Sequence, residues 1–168
     1  MRMAYRKRNG TGSVAHSIEL PNHILLGAVR DAVREGHTAT IIVKGWSMRP
    51  FVEHKRDKVL LDSAENVEVY DAVLAEIEPG RFVLHRIMDI EPDAEDRQQD
   101  RITLMGDGNI RGTEQCRRKD LCGKVVQYIR PQRTISADDP TLQRRIRLWK
   151  RLLPVRRYLL VIYKAIVQ

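Results

Sequence analysis

Between residues 38 and 129 the chain carries six short β-rich runs, TATIIVK, DKVLLD, DAVLAEI, RFVLHRIM, RITLM and LCGKVVQYI, separated by turn and loop signals. Strands spaced this closely predict a mostly antiparallel sheet or a small barrel. The EPGR stretch at 78–81 is a turn between two apolar runs, which predicts a hairpin over Tyr70 to Met88. The acidic segment DIEPDAEDRQQD, 89–100, reads as an exposed loop before the next strand.

Helical patterns flank the β-rich region. Ile24, Leu25, Ala28, Val29, Ala32 and Val33 recur at the spacing of one helix face, with Pro21 near the start and Gly36 as a stop, which predicts a lead helix over 21–36. Leu142, Ile146, Trp149 and Leu153 share a face ringed by arginines and lysines, and Pro154 fits the first turn of a second helix running to the C-terminus. The expected organisation is a flexible basic N-terminus at 1–20, a β-rich domain at 21–130 (lead helix 21–36, β core 38–130) and a basic amphipathic tail at 131–168.

Charge is concentrated at the ends. Residues 1–8 contribute +4 and residues 130–168 contribute +8 to a total of +8, leaving −4 for residues 9–129. A mildly acidic body argues against nucleic-acid binding and assigns any attraction for phosphate or anionic lipid to the termini. Cys116 and Cys122 match neither zinc-site nor redox-pair spacing, which points to a reducing compartment. The N-terminal stretch lacks the apolar segment of a signal peptide, and no run reaches the roughly 18 to 20 apolar residues that span a bilayer. The expectation is a cytoplasmic protein, peripheral at the inner face of the membrane if residues 141–168 bind lipid, with no metal or cofactor. The alternative for that tail is a partner protein or the chain's own sheet.

Ser47, in KGWSMRPF, is a candidate nucleophile. Serine needs a base within hydrogen-bond reach and donors for the oxyanion formed on attack. Gly45 would permit close approach of backbone or substrate, and Pro50 stiffens the exit from the turn. His85 lies in a predicted strand on the face of Val83 and Ile87, and an imidazole can take and return a proton near neutrality. Asp107, in the GDGN turn that follows RITLM, is a candidate third member that would orient the imidazole. Each of these residues also has an ordinary reading: a strand-ending turn for Ser47, a core histidine for His85, turn chemistry for Asp107.

Taken in order, GWSMRP, RDKVLL, YDAVLAEIEPGRFVLHRI, LMGDGN and LCGKVV resemble the box series of the type I signal peptidase and LexA-like serine peptidase superfamily, over roughly residues 39–130. The resemblance implies a mostly β (α+β), partly barrelled antiparallel domain with an N-terminal helix and C-terminal amphipathic helices. It implies a peptide or protein substrate, Ser47 as nucleophile, and the Ser47 backbone amide as oxyanion donor. The base position falls on His85, as in the serine–histidine members rather than the serine–lysine ones. Asp107 would be the supporting acid, framed by the motif residues Gly45, Met48, Pro50, Gly106 and Asn109. Asp57 and Asp71 match recurrent aspartates of structural character, but Arg56 and Tyr70 stand where a glycine usually precedes each. Trp46 either shapes a pocket beside Ser47 or is buried.

The chain departs from that family in lacking a membrane-spanning helix before the serine box. A non-cleaving peptide-binding module remains an alternative, in which a bound peptide adds a strand to the sheet edge. A self-cleaving regulator is disfavoured by the single helix ahead of the box and by histidine at the base position.

Overall fold

The computed structural model describes residues 3–6 and 22–167. Helix α1 (Asn22–Arg34) forms where the spacing predicts it, with Leu25, Val29 and Val33 buried on one face. Gly36, at φ +84°, ends it, and the amides of Gly36 and His37 turn back to the carbonyls of Val33 and Ala32.

The six β-rich runs become β2 (Thr38–Ile42), β3 (Lys58–Asp62), β4 (Ala72–Glu78), β5 (Arg81–Glu91), β6 (Arg101–Met105) and β8 (Leu121–Arg130). Three further strands complete the described set: β1 (Met3–Arg6), β7 (Glu114–Arg117) and β9 (Arg133–Ser136). All pairings are antiparallel, in the order β1-β2-β3-β8-β4-β5-β6-β7, with β9 on β8. The predicted hairpin is β4–β5.

Among the described residues the sheet is open, since β1 and β7 end the path and do not pair; the partial barrel expected from the sequence is not closed. Strand β8 explains the geometry. Its residues 124–129 pair with β3 along one edge, while β4 and β9 share the opposite edge, so the sheet branches there instead of curling onto itself.

Alternation along the strands builds a core on each face. The larger core joins Val29 and Val33 of α1 to Ile41, Leu61, Leu74, Val125 and the loop residues Met48, Phe51 and Val52. The smaller one packs Val73, Ala75, Ile87, Ile102, Leu104 and Leu121. The acidic loop is shorter than expected: β5 continues to Glu91, and Asp100 is buried against Arg118 at 2.8 Å.

The tail does not stand apart from the body. After β9, Asp139 caps helix α2 (Pro140–Arg151) by accepting from the Leu142 amide, and Leu142 and Ile146 enter the larger core. A 3₁₀ turn containing Pro154 leads to helix α3 (Arg156–Val167). Of the stretch read as a flexible N-terminus, residues 3–6 pair with β2; the remainder lies outside the described residues. Among the described residues no helix is long and apolar enough to cross a membrane.

Candidate active site

Beyond β2 the chain leaves the sheet, and two backbone hydrogen bonds, from Val43 N–H to Asp57 O and from Lys55 N–H to Val43 O, close a loop that carries Ser47. Gly45 adopts φ +106°, which L side chains rarely tolerate, and its amide donates to His54 Nδ1 at 2.8 Å. The space where its Cβ would lie is open, so the glycine is there for its backbone conformation rather than for the close approach the sequence suggested. Asp57 holds the far side of the loop, accepting from the Glu53 amide at 2.9 Å and pairing with Arg56. Met48, Phe51 and Val52 anchor it in the core, and Pro50 follows a cis peptide bond.

Ser47, half-buried, rests on the GDGN turn. The Gly108 amide donates to Ser47 O at 2.7 Å. A Cβ on Gly106 would lie 2.5 Å from Ser47 O and 3.0 Å from Ser47 Cβ, and one on Gly108 would lie 2.5 Å from Trp46 O. These glycines are therefore required by contact. Asn109 closes the turn through its amide to Gly106 O at 3.1 Å.

The register of β5 and β6 relates this turn to His85. Arg86 pairs with Met105, so continuing the ladder by one residue sets Gly106 beside His85. Paired residues share a face, and the Gly106 Cβ direction is the one occupied by Ser47; serine and histidine thus lie on the same side of the sheet. His85 is 5% exposed, next to Val73 in the β4–β5 ladder. Ile87, Leu104 and Glu114 form one cross-strand row on that face, and from it Glu114 reaches His85, with Oε2 2.7 Å from Nδ1. A neutral imidazole that donates from Nδ1 presents Nε2 as its acceptor. Among the described residues no hydrogen bond joins Ser47 Oγ to His85, so the direct contact expected from the sequence is not made.

Asp107 occupies the other face. Its fully buried carboxylate receives Arg86 Nε and NH2, the latter at 2.6 Å, and lies 3.1 Å from Lys150 Nζ. Burial alone would push this carboxyl up, but the Arg86 guanidinium outweighs it and Lys150 adds to the effect, holding the group below the ordinary carboxylate value. The contact with His85 expected of Asp107 is made instead by Glu114, because strand alternation directs residues 106 and 107 to opposite faces. Asp107 instead fixes the turn beneath Ser47.

Arg86 also explains Tyr70, which adopts φ +80° although it is not a glycine. Tyr70 O accepts from Arg86 NH1 at 2.7 Å, and its amide donates to Ile87 O at 2.8 Å, so the unusual conformation is held from both sides. Asp71, as expected of a structural aspartate, accepts from the Glu68 amide and pairs with Lys124.

The tail supports the same turn. Trp149 Nε1 donates to Asp107 O at 2.8 Å, and the buried Arg156 donates to Asn109 O at 3.1 Å. Trp46 is 53% exposed, stacks on His54 and lies under the Arg49 guanidinium, so it shapes a surface rather than filling the core. With Ser47 and Ile110 it lines a cavity of about 200 Å³ whose far wall is α3, through Arg157, Leu160 and Val161. The Ser47 amide donates to no protein acceptor among the described residues, and an oxyanion could take it.

Glu114 escapes sequence reasoning because EQCR is a four-residue strand with no apolar run, and its relation to His85 exists only through the β5-β6-β7 register. The one available signal was a carboxylate a few residues beyond GDGN. No family model, curated protein or solved structure matches the chain.

Proposed function

We propose that the protein is a serine endopeptidase of the signal-peptidase-like class, on an antiparallel domain of that type, with Ser47 as nucleophile, His85 as general base and Glu114 as the group that orients the base. The observation that carries this reading is the contact of buried His85 with half-buried Glu114, on the strand adjoining the turn that seats Ser47. Glu114 holds the proton on Nδ1, so Nε2 is free to accept the Ser47 hydroxyl proton as Oγ attacks a peptide carbonyl. The Ser47 amide stabilises the oxyanion. The imidazolium returns its proton to the leaving amine, and water, deprotonated by the same ring, releases the acyl group.

A peptide has a place to lie. Strand β5 is paired with β4 through residues 81–86, whereas β6 pairs only from Arg86 onward, which leaves the other edge of 82–84 open. Beside it runs a groove of about 310 Å³ lined by Leu26, Val43, Lys44, Phe82 and Leu84. An extended segment added along that edge would lead from Leu84 towards His85 and from Lys44 towards Ser47. The non-cleaving binder would use the same edge, and only chemistry separates the two readings.

The test is to incubate a complex peptide mixture with the intact protein, Ser47→Ala and His85→Ala, and to compare new N-termini by mass spectrometry. Termini that appear only with the intact protein are expected. Identical profiles for all three proteins, with peptide binding retained, would establish the binder instead.

A further inference from the structure

Helix α3 faces the body with one stripe, Arg156, Leu160 and Tyr163, of which Arg156 and Leu160 are buried and Tyr163 donates to Glu53 at 2.9 Å. Its opposite side is apolar and exposed, with the Arg157 guanidinium over the Tyr158 ring at its edge. Tyr158 is 59% exposed, Val161 66%, Ile162 56% and Ile166 77%, and Val155 just ahead of the helix extends the patch. Large apolar residues exposed together on one helix face mark an interaction surface.

The charges beside this patch decide what covers it. From Pro140 to the C-terminus the sequence has no aspartate or glutamate. Arg144, Arg145, Arg147, Arg151, Arg157 and Lys164 are exposed, and none is paired with a carboxylate among the described residues. On α3 itself, Arg157 and Lys164 form one flank of the apolar face. An uninterrupted basic field beside exposed aliphatic and tyrosyl side chains complements anionic headgroups over acyl chains. A second copy of this chain would bring the same positive field against itself.

We infer that α3 docks the protein on an anionic membrane surface, lying in the interface plane with Val155, Tyr158, Ile162 and Ile166 towards the lipid. With only 12 residues the helix rests on the bilayer and does not span it. Docking also positions the proposed site, a consequence that rests on the peptidase reading: Arg157, Val161 and Lys164 line the cavity shared with Ser47 on the flank of α3, so the cleft would lie beside the docked helix, within reach of a membrane-associated peptide.

The test is co-sedimentation of the full chain with vesicles of mixed phosphatidylglycerol and phosphatidylcholine and with vesicles of phosphatidylcholine alone. Binding to the anionic vesicles is expected, with an affinity falling at least about tenfold in Ile162→Glu/Ile166→Glu and in Arg157→Glu/Lys164→Glu. All of these side chains are exposed, so the variants should keep the parent melting temperature, and the melt identifies any that do not fold. Ser47→Ala should bind as the parent does, which separates this inference from the peptidase reading. Absence of binding to anionic vesicles would overturn it, as would equal binding by folded variants, or a concentration-dependent dimer abolished by Ile162→Glu/Ile166→Glu.

Discussion

Asp107 grips Arg86 from the end of β6, with NH2 2.6 Å from Oδ2 and both residues buried. The neighbouring residue on β5, His85, turns to the opposite face and meets Glu114. Two consecutive residues of one strand thus divide the work: Arg86 secures the turn that seats Ser47, and His85, with Glu114, is the base in the proposed mechanism.

Removing the charge of Asp107 should therefore act on stability first. In Asp107→Asn the Arg86 guanidinium stays buried without its counter-ion, and breaking a buried pair costs about 3 to 5 kcal/mol. The pH dependence has a definite sign. The folded carboxyl is held below its unfolded value of about 3.9, so its contribution is complete above that value and is lost as pH falls through the folded one. Urea unfolding of the parent and Asp107→Asn should show a large gap at neutral pH that narrows as acid is added; a gap independent of pH would contradict the assignment.

Glu114→Gln tests the other half of the division. The amide can still touch the ring but no longer stabilises an imidazolium, and turnover should fall by roughly 10² to 10⁴ with little change in melting temperature. The measurement is the rate at which Ser47-dependent termini accumulate. Asp107→Asn, where still folded, should lose less activity than Glu114→Gln; the reverse order would return the orienting role to Asp107.

Gly106→Ala addresses the seat of Ser47. Its methyl group would lie 2.5 Å from the Ser47 carbonyl, a backbone atom that cannot swing aside. Overpacking of this kind costs about 1 to 3 kcal/mol, and the accompanying shift of the loop should abolish Ser47-dependent cleavage. Gly45→Ala should also destabilise, but through backbone strain at φ +106°, since nothing crowds that site. Thermal melts and cleavage assays on both variants distinguish contact from conformation.

The sequence disclosed whatever local periodicity encodes. The stripe of Leu25, Val29 and Val33 located α1, and six apolar runs located six strands, because period 3.6 and period 2 are written in consecutive residues. Ordered motifs singled out Ser47 and His85. What stayed hidden depends on pairing between distant strands. Glu114 lies in a strand too short and polar to show a period, β9 is RTIS, and the exchange of carboxylates between His85 and Arg86 follows from the parity of residues 106 and 107 beyond the end of β6. The sequence leaves the tail's attachment open between lipid, partner and the chain's own sheet, since the face of Leu142 and Ile146 suits a lipid as well as it suits a protein core.

That attachment yields the last prediction. A tail appended to a self-sufficient domain could be deleted without harm, but here Leu142 and Ile146 are 7% and 1% exposed within the larger core, and Trp149 and Arg156 hold the carbonyls of the GDGN turn. Truncating either aliphatic side chain to alanine should cost about 2 to 5 kcal/mol. Removing residues 140–168 deletes both, opens the core beside Phe51 and strips Lys150 from Asp107, a combined loss comparable to the whole stability of about 5 to 15 kcal/mol typical of a domain. The truncated chain should show no cooperative melt, whereas Ile162→Glu/Ile166→Glu, on the outer face of α3, should melt as the parent does. A cooperative transition at the parent temperature in the truncated chain would show that the body folds without its helices.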